Sequence, residues 1–104
     1  MSRGPDAATL LERALIADAA RAGVAIHITA CDSTRWASAT FSGARHVLTL
    51  VLDGGDAGRA WLAALPETDL PMRGHLVADL AVIRRTATCD RTDATIEALT
   101  VEER

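Results

Sequence analysis

The sequence predicts an α+β fold in the order α-β-β-β-α-β-β, with one mostly antiparallel five-stranded sheet and two helices packed on one face. Three observations support this prediction. Apolar residues recur at helical spacing near the start of the chain, and the period changes to two residues between Val24 and Leu52. A long apolar run followed by an alternating segment occupies the end. At 104 residues, the chain is expected to form a single domain over residues 1–104.

Two segments have the pattern of amphipathic helices. In the first, leucine and alanine recur every three or four residues after Asp6, which stands in the N-cap position, and Gly23 is placed to end the helix in a left-handed conformation. This pattern predicts a helix over residues 7–22. In the second segment, Asp56 can cap a shorter helix over residues 57–65, which a proline ends.

Three strands are predicted between the helices. The first covers residues 24–31, where side chains alternate between two faces. The polar triplet Asp32-Ser33-Thr34 predicts a turn into a weaker second strand over residues 35–41. A tight hairpin at Ser42-Gly43 then leads into a strong third strand over residues 45–52. Together these segments predict an antiparallel meander.

The segment from His75 to Glu103 predicts a long two-stranded ribbon. It holds an apolar run over residues 75–83, a polar hinge over residues 86–93 and an alternating strand over residues 94–101. These two strands complete the predicted five-stranded sheet.

Asp79 is the one acidic residue in the apolar run, so we expect it to be buried. A buried carboxylate should ionise against a partner or have its pKa raised. The structural interpretation is an ion pair with Arg45 or Arg35, or a contact with the backbone. The functional interpretation is a general acid or base paired with His27 or His75.

Strand alternation gives the predicted sheet two unlike faces. One is aliphatic and can be covered by the helices: Val24, Ile26, Ile28, Leu48, Leu50, Leu52, Leu76, Leu80 and Val82. The other is mixed: His27, Thr29, Cys31, Trp36, Ser38, Thr40, Val47, Thr49, Val51, His75, Val77 and Asp79. Three interpretations of the mixed face stay open: a self-association surface, which we favour, a shallow pocket for a small ligand, and an active site that could include a metal.

The candidate ligand-binding residues lie on the predicted mixed face: His27, Asp79, His75, Cys31 and Trp36. His75 and Asp79 are about 13 Å apart along one strand, so they cannot share a metal ion unless the strand bends, and no metal site is predicted. His27 could reach Asp79 if their strands were neighbours. A reactive Cys31 would need a cationic neighbour, for which His27 is the local candidate. His46 is predicted to be an exposed residue at a strand end.

The composition excludes several classes of function. All eleven basic residues are arginine, a bias typical of GC-rich bacterial genomes, and the absence of Lys and Tyr excludes catalysis by those side chains. The net charge of −3 argues against a nucleic-acid partner. No apolar run has the form of a signal peptide or the length of a membrane span. We therefore expect a cytoplasmic protein with reduced Cys31 and Cys89, no membrane partner and no cofactor.

The resulting hypothesis is a self-associating binding or accessory module without catalytic activity. With only one Phe and two Trp the core is small, so burying surface against a second copy would stabilise it, and we expect a homodimer. No nucleotide-binding glycine motif, Gly-x-Ser-x-Gly motif or metal-ligand motif is present. The alternative is a small enzyme or small-molecule-binding protein that uses His27, Asp79 and His75.

Overall fold

The computed structural model describes residues 6–88 and 90–103. Its elements are α1 (Ala7–Arg21), β1 (Ile26–Ala37), β2 (Ser42–Asp53), α2 (Asp56–Ala64), a short 3-10 helix (Leu65–Glu67), β3 (His75–Ala87) and β4 (Arg91–Glu102). The strands form one sheet in the order β1-β2-β4-β3, and every neighbouring pair is antiparallel. The α+β class is confirmed. The prediction of five strands is wrong, because the sheet in the described residues has four.

The two predicted strands before β2 are one continuous strand. Residues of the predicted turn stay in β1, where Asp32 pairs with Val47 and Ser33 pairs with His46. A β-bulge between Ile28 and Ala30 absorbs one extra residue without ending the strand. Polar side chains are tolerated there because β1 is an edge strand. The chain instead reverses over residues 38–41, ahead of the predicted hairpin.

The ends of α1 follow from its sequence. The Asp6 carboxylate accepts a hydrogen bond from the Thr9 amide at 2.9 Å, which confirms the predicted N-cap. Gly23 follows the helix with φ of 77°, the left-handed conformation expected there. In α2 the predicted cap is displaced by one residue, since Gly55 is the N-cap and Asp56 is already helical.

One face of the sheet packs against the helices. We call it the helix-covered face, and its core joins buried residues of β2, β3 and β4 to those of both helices: Leu48, Leu50, Leu52, Leu80, Ala94, Ile96 and Ala98 with Leu11, Leu15, Ala19, Trp61 and Leu62. The opposite side, the open face, carries the alternate residues of the central strands: Arg45, Val47, Thr49, Val51, Asp93, Thr95, Glu97, Leu99 and Val101. Directly paired residues of antiparallel strands share a face, so the register assigns each side chain.

Two bulges in β3 change which of its residues reach the core. They lie between Val77 and Asp79 and between Val82 and Arg84. Val77 pairs with the buried Thr100 and packs against the core, whereas Leu76 is 55% exposed. The predicted faces of His75, Leu76 and Val77 are therefore wrong, because a bulge reverses the alternation that the prediction assumed.

Gly43 allows a close approach between the two central strands. A Cβ atom at this position would overlap the Thr100 carbonyl oxygen of β4 and lie 3.0 Å from Trp36 Cζ2. The carbonyl belongs to the backbone and cannot move without disturbing the β2–β4 pairing. Side-chain volume is therefore excluded at this point of the sheet.

We expect Gly43→Ala to lower the free energy of unfolding by about 3 kcal/mol, because the added methyl group forces the strands apart. Urea unfolding followed by far-ultraviolet circular dichroism measures this loss. Gly55→Ala is the control, since its Cβ meets no atom within 4 Å. It should cost less than about 1 kcal/mol through a weaker helix cap. Equal losses in the two variants would contradict the described packing.

Candidate functional site

A fully buried histidine interrupts the aliphatic row of β2. His46 has no exposed surface and lies on the helix-covered face, in line with Leu48 and Leu50. Its Nδ1 is 2.6 Å from Ser33 Oγ, and its Nε2 is 2.9 Å from Thr100 Oγ1. The prediction of an exposed His46 is wrong, because it has the same alternation phase as the buried leucines of β2.

The hydrogen bonds around His46 have fixed directions. Thr100 Oγ1 donates to the Ala44 carbonyl oxygen at 3.3 Å, because a carbonyl can only accept. Thr100 therefore accepts from His46, which places the imidazole proton on Nε2. Nδ1 is then an acceptor, and the Ser33 hydroxyl donates to it. We call this sequence from Ser33 through His46 and Thr100 to the Ala44 carbonyl the His46 chain.

The His46 chain borders a cavity of about 300 Å³, which we call the His46 cavity. Ser33, His46 and Thr100 form part of its wall, and Ala7 and Ala8 line it from the first turn of α1. Three charged residues also line the cavity: Asp6, Arg35 and Glu102. The buried part of the chain thus reaches a space large enough for a small molecule.

The electrostatics of the cavity keep the imidazole neutral. Burial lowers the pKa of His46 below its ordinary value of 6.5, and His75 lowers it further, whereas the Asp6 carboxylate opposes the shift. The hydrogen bonds from Thr9 lower the pKa of Asp6, so that carboxylate is ionised. Neutral His46 can therefore accept a proton at Nδ1.

His75 is the only one of the predicted candidates that lines the His46 cavity. It pairs with Glu102 in the register of β3 and β4. Its Nδ1 is buried and has no hydrogen-bond partner within residues 6–88 and 90–103. Unpaired buried polar atoms are rare in native structures, because each costs about 1–3 kcal/mol. This atom distinguishes the β3 side of the cavity from ordinary core.

His27 and Asp79 are not brought together. They lie on β1 and β3, the two opposite edges of the sheet, so three strand spacings of about 4.8 Å separate them across the sheet alone. Asp79 is exposed and makes no ion pair with any described residue. Arg45 pairs with Glu97 instead, at 3.4 Å. The prediction that Asp79 is buried is wrong, because it lies on the open face, opposite Leu80, where the helices do not cover it.

Cys31 and Trp36 lie apart from each other and from His27. The bulge in β1 places Cys31 opposite Leu48 on the helix-covered face, whereas His27 lies opposite Val51 on the open face. Burial raises the pKa of the free Cys31 thiol, so it is not an activated thiolate. Cys89 lies outside the described residues. Trp36 borders a shallow depression of about 480 Å³ on the open face, together with Thr34, Arg45 and Leu99.

Three residues of the site were not among the sequence-predicted candidates. The phase of His46 relative to Leu48 was available from the sequence and would have indicated burial. Ser33 and Thr100 carried no such signal. Their roles depend on the register that pairs Ser33 with His46 and Ala44 with Thr100.

Comparison with family models, curated proteins and solved structures found no match to this chain. The described residues contain no group of three His, Cys, Asp or Glu side chains that could hold a metal ion. In the same part of the chain, neither helix has the length and apolarity needed to cross a membrane. A functional assignment therefore depends on the geometry of the His46 cavity.

The lowered pKa of His46 predicts that the folded protein loses stability on mild acidification. Between the folded pKa and about pH 6.5 the unfolded chain binds a proton that the folded chain excludes, so the free energy of unfolding falls as the pH falls. Urea unfolding at about pH 7.5 and about pH 5.5 measures this, in a range above the titration of most carboxylates. His27→Asn, an exposed-histidine control, should keep the slope. A flat or opposite dependence would show that His46 is not held neutral.

Proposed function

We propose that this protein binds a small uncharged polar molecule in the His46 cavity. The observation that carries the proposal is the fully buried His46, whose hydrogen-bond chain ends at Ser33 on the cavity wall. A leucine in its place would continue the aliphatic row of β2 without any need for polar partners. An imidazole and two hydroxyl groups are costlier to bury than a leucine, so a binding site explains their presence better than core packing does.

The volume of the cavity sets the size of the ligand. A space of about 300 Å³ is twice the roughly 150 Å³ that holds benzene in an engineered protein cavity. It can accommodate a molecule of roughly ten non-hydrogen atoms. Ser33 Oγ keeps acceptor capacity after donating to His46, so a ligand N–H or O–H group can bind there.

The charges around the cavity favour an uncharged ligand. The Asp6 carboxylate is engaged by the Thr9 amide, and Glu102 lies 3.9 Å from Arg35 in an exposed ion pair. An anion would meet two carboxylates, Asp6 and Glu102. A cation would meet acids that already have partners. A neutral amide, alcohol or ester avoids both the repulsion that an anion would meet and the competition for paired carboxylates that a cation would meet.

The open face supports self-association less directly than the cavity supports ligand binding. Its middle contains the Arg45–Glu97 ion pair, and burying that pair against a second copy would require both groups to lose water. A homodimer stays a prediction. A cytoplasmic location in a bacterial cell, which would keep Cys31 reduced, also stays part of the proposal.

Benzamide is a suitable probe because it is neutral, polar and has nine non-hydrogen atoms. We expect it to bind with a dissociation constant of about 1 mM, in keeping with the modest affinity of small fragments. Titration of ¹⁵N-labelled protein should shift the amide signals of Ser33, Ala44 and Thr100 most. Benzoate has the same shape but a negative charge, so it should bind at least about fivefold more weakly.

Filling the cavity should abolish this binding. Ala8 lines the cavity from α1, so Ala8→Phe should place a ring in it and remove the benzamide shifts. Ala20→Phe is the matched control, because Ala20 is exposed on the same helix and does not line the cavity. The proposal fails if benzamide shifts signals elsewhere, or if Ala8→Phe folds normally and binds it unchanged.

A further inference from the structure

We propose that Ser33 is a nucleophile, with His46 as its general base, and that the protein hydrolyses a small uncharged ester through an acyl-Ser33 intermediate. This inference rests on the proposed binding at the His46 cavity and names its substrate class and chemistry. The geometry that carries it is a serine on an accessible cavity wall, whose Oγ lies 2.6 Å from the acceptor nitrogen His46 Nδ1. The other ring nitrogen, Nε2, is held in place by Thr100.

Ser33 and His46 differ in exposure in the way that such a pair requires. Ser33 is exposed on the edge strand β1, so its oxygen is accessible to a substrate. His46 is fully buried, which lowers its pKa and keeps it neutral and able to accept a proton. Their strands pair with Ser33 opposite His46, so the backbone fixes the contact. Cys31 Sγ lies 3.9 Å from Ser33 Oγ and can only donate to it, because the Ser33 proton is already directed at His46.

Thr100 is a positioning residue in this arrangement. It accepts the Nε2 proton of His46 and donates its own proton to the Ala44 carbonyl. That arrangement holds the imidazole in the tautomer that leaves Nδ1 free to accept. An aspartate does this in serine protease triads, where its negative charge also stabilises the imidazolium that forms. Thr100 has no charge, so we expect slow chemistry.

The reaction balances with water as the only co-reactant. Ser33 Oγ forms a bond to the ester carbonyl carbon while its proton moves to His46 Nδ1. The bond from that carbon to the leaving oxygen then breaks, and His46 returns the proton to the departing alcohol. Water repeats the sequence on the acyl-serine, which releases a carboxylic acid and restores Ser33. Asp6 and Glu102 line the cavity and disfavour the negative charge that develops on the carbonyl oxygen, which is a second reason to expect slow chemistry.

The test uses phenylmethanesulfonyl fluoride, a neutral reagent of suitable size for the cavity. Ser33 Oγ would form a bond to sulfur, the sulfur–fluorine bond would break, and the proton would pass through His46 to solvent as fluoride leaves. The chain has no Lys or Tyr that could take up the reagent instead. Intact mass spectrometry gives the rate, and peptide mapping gives the labelled residue. We expect a single adduct on Ser33.

Four variants separate the alternatives. Ser33→Ala should abolish labelling, whereas Ser42→Ala, outside the cavity, should label like the parent protein. Thr100→Val should slow labelling about tenfold and Thr100→Ser should restore it, which a purely structural role would not require. Labelling should also slow as His46 is protonated at lower pH.

The outcomes distinguish this inference from the proposed binding. No adduct, or an adduct elsewhere that persists in Ser33→Ala, overturns the nucleophile even if benzamide still binds in the cavity. An adduct on Ser33 that benzamide blocks supports both. An adduct on Ser33 without any benzamide binding supports the nucleophile and overturns the ligand class proposed above.

Discussion

The burial of His46 constrains the whole site. An imidazole without surface exposure needs a partner at each nitrogen, and β1 and β4 supply them as the Ser33 and Thr100 hydroxyl groups from either side of β2. Both partners depend on sheet register, since Ser33 pairs with His46 itself and Thr100 with Ala44 two residues away. A slip of one residue in either pairing would leave the imidazole unsatisfied and remove the cavity wall.

The bulges explain how the two faces acquire different chemistry. The bulge near Thr29 directs His27 to the open face and Cys31 to the helix-covered face, although both have the same parity in the sequence. It also brings Ser33 into phase with His46. The bulge near Ala78 turns Val77 toward the core. His27 and Asp79 thus lie on the open face, and Cys31 and Ser33 on the helix-covered face. The central strand β2 has no bulge, so its leucines and His46 stay in one row.

Local patterns were sufficient for much of the fold and for little of the site. The Asp6 cap, the Gly23 stop and the alternation of β2 depend on neighbours in sequence, and each was predictable. The extra strand arose because Asp32, Ser33 and Thr34 have the composition of a turn, whereas pairing with β2 overrides that preference. Asp79 was expected to be buried because it lies in an apolar run, but alternation with Leu80 had already placed it on the face that the helices leave open. Ser33 and Thr100 are 67 positions apart, so only the three-dimensional pairing shows that they hold one imidazole.

The tautomer of His46 follows from every hydrogen bond in the His46 chain, so measuring it shows whether those bonds have the directions described. A long-range ¹H–¹⁵N correlation spectrum of the ¹⁵N-labelled protein at neutral pH reports both ring nitrogens of each histidine. For the one fully buried histidine, the His46 chain requires a protonated Nε2 and an unprotonated Nδ1. A protonated Nδ1, or two equivalent nitrogens typical of the imidazolium or of a freely exchanging ring, would contradict it.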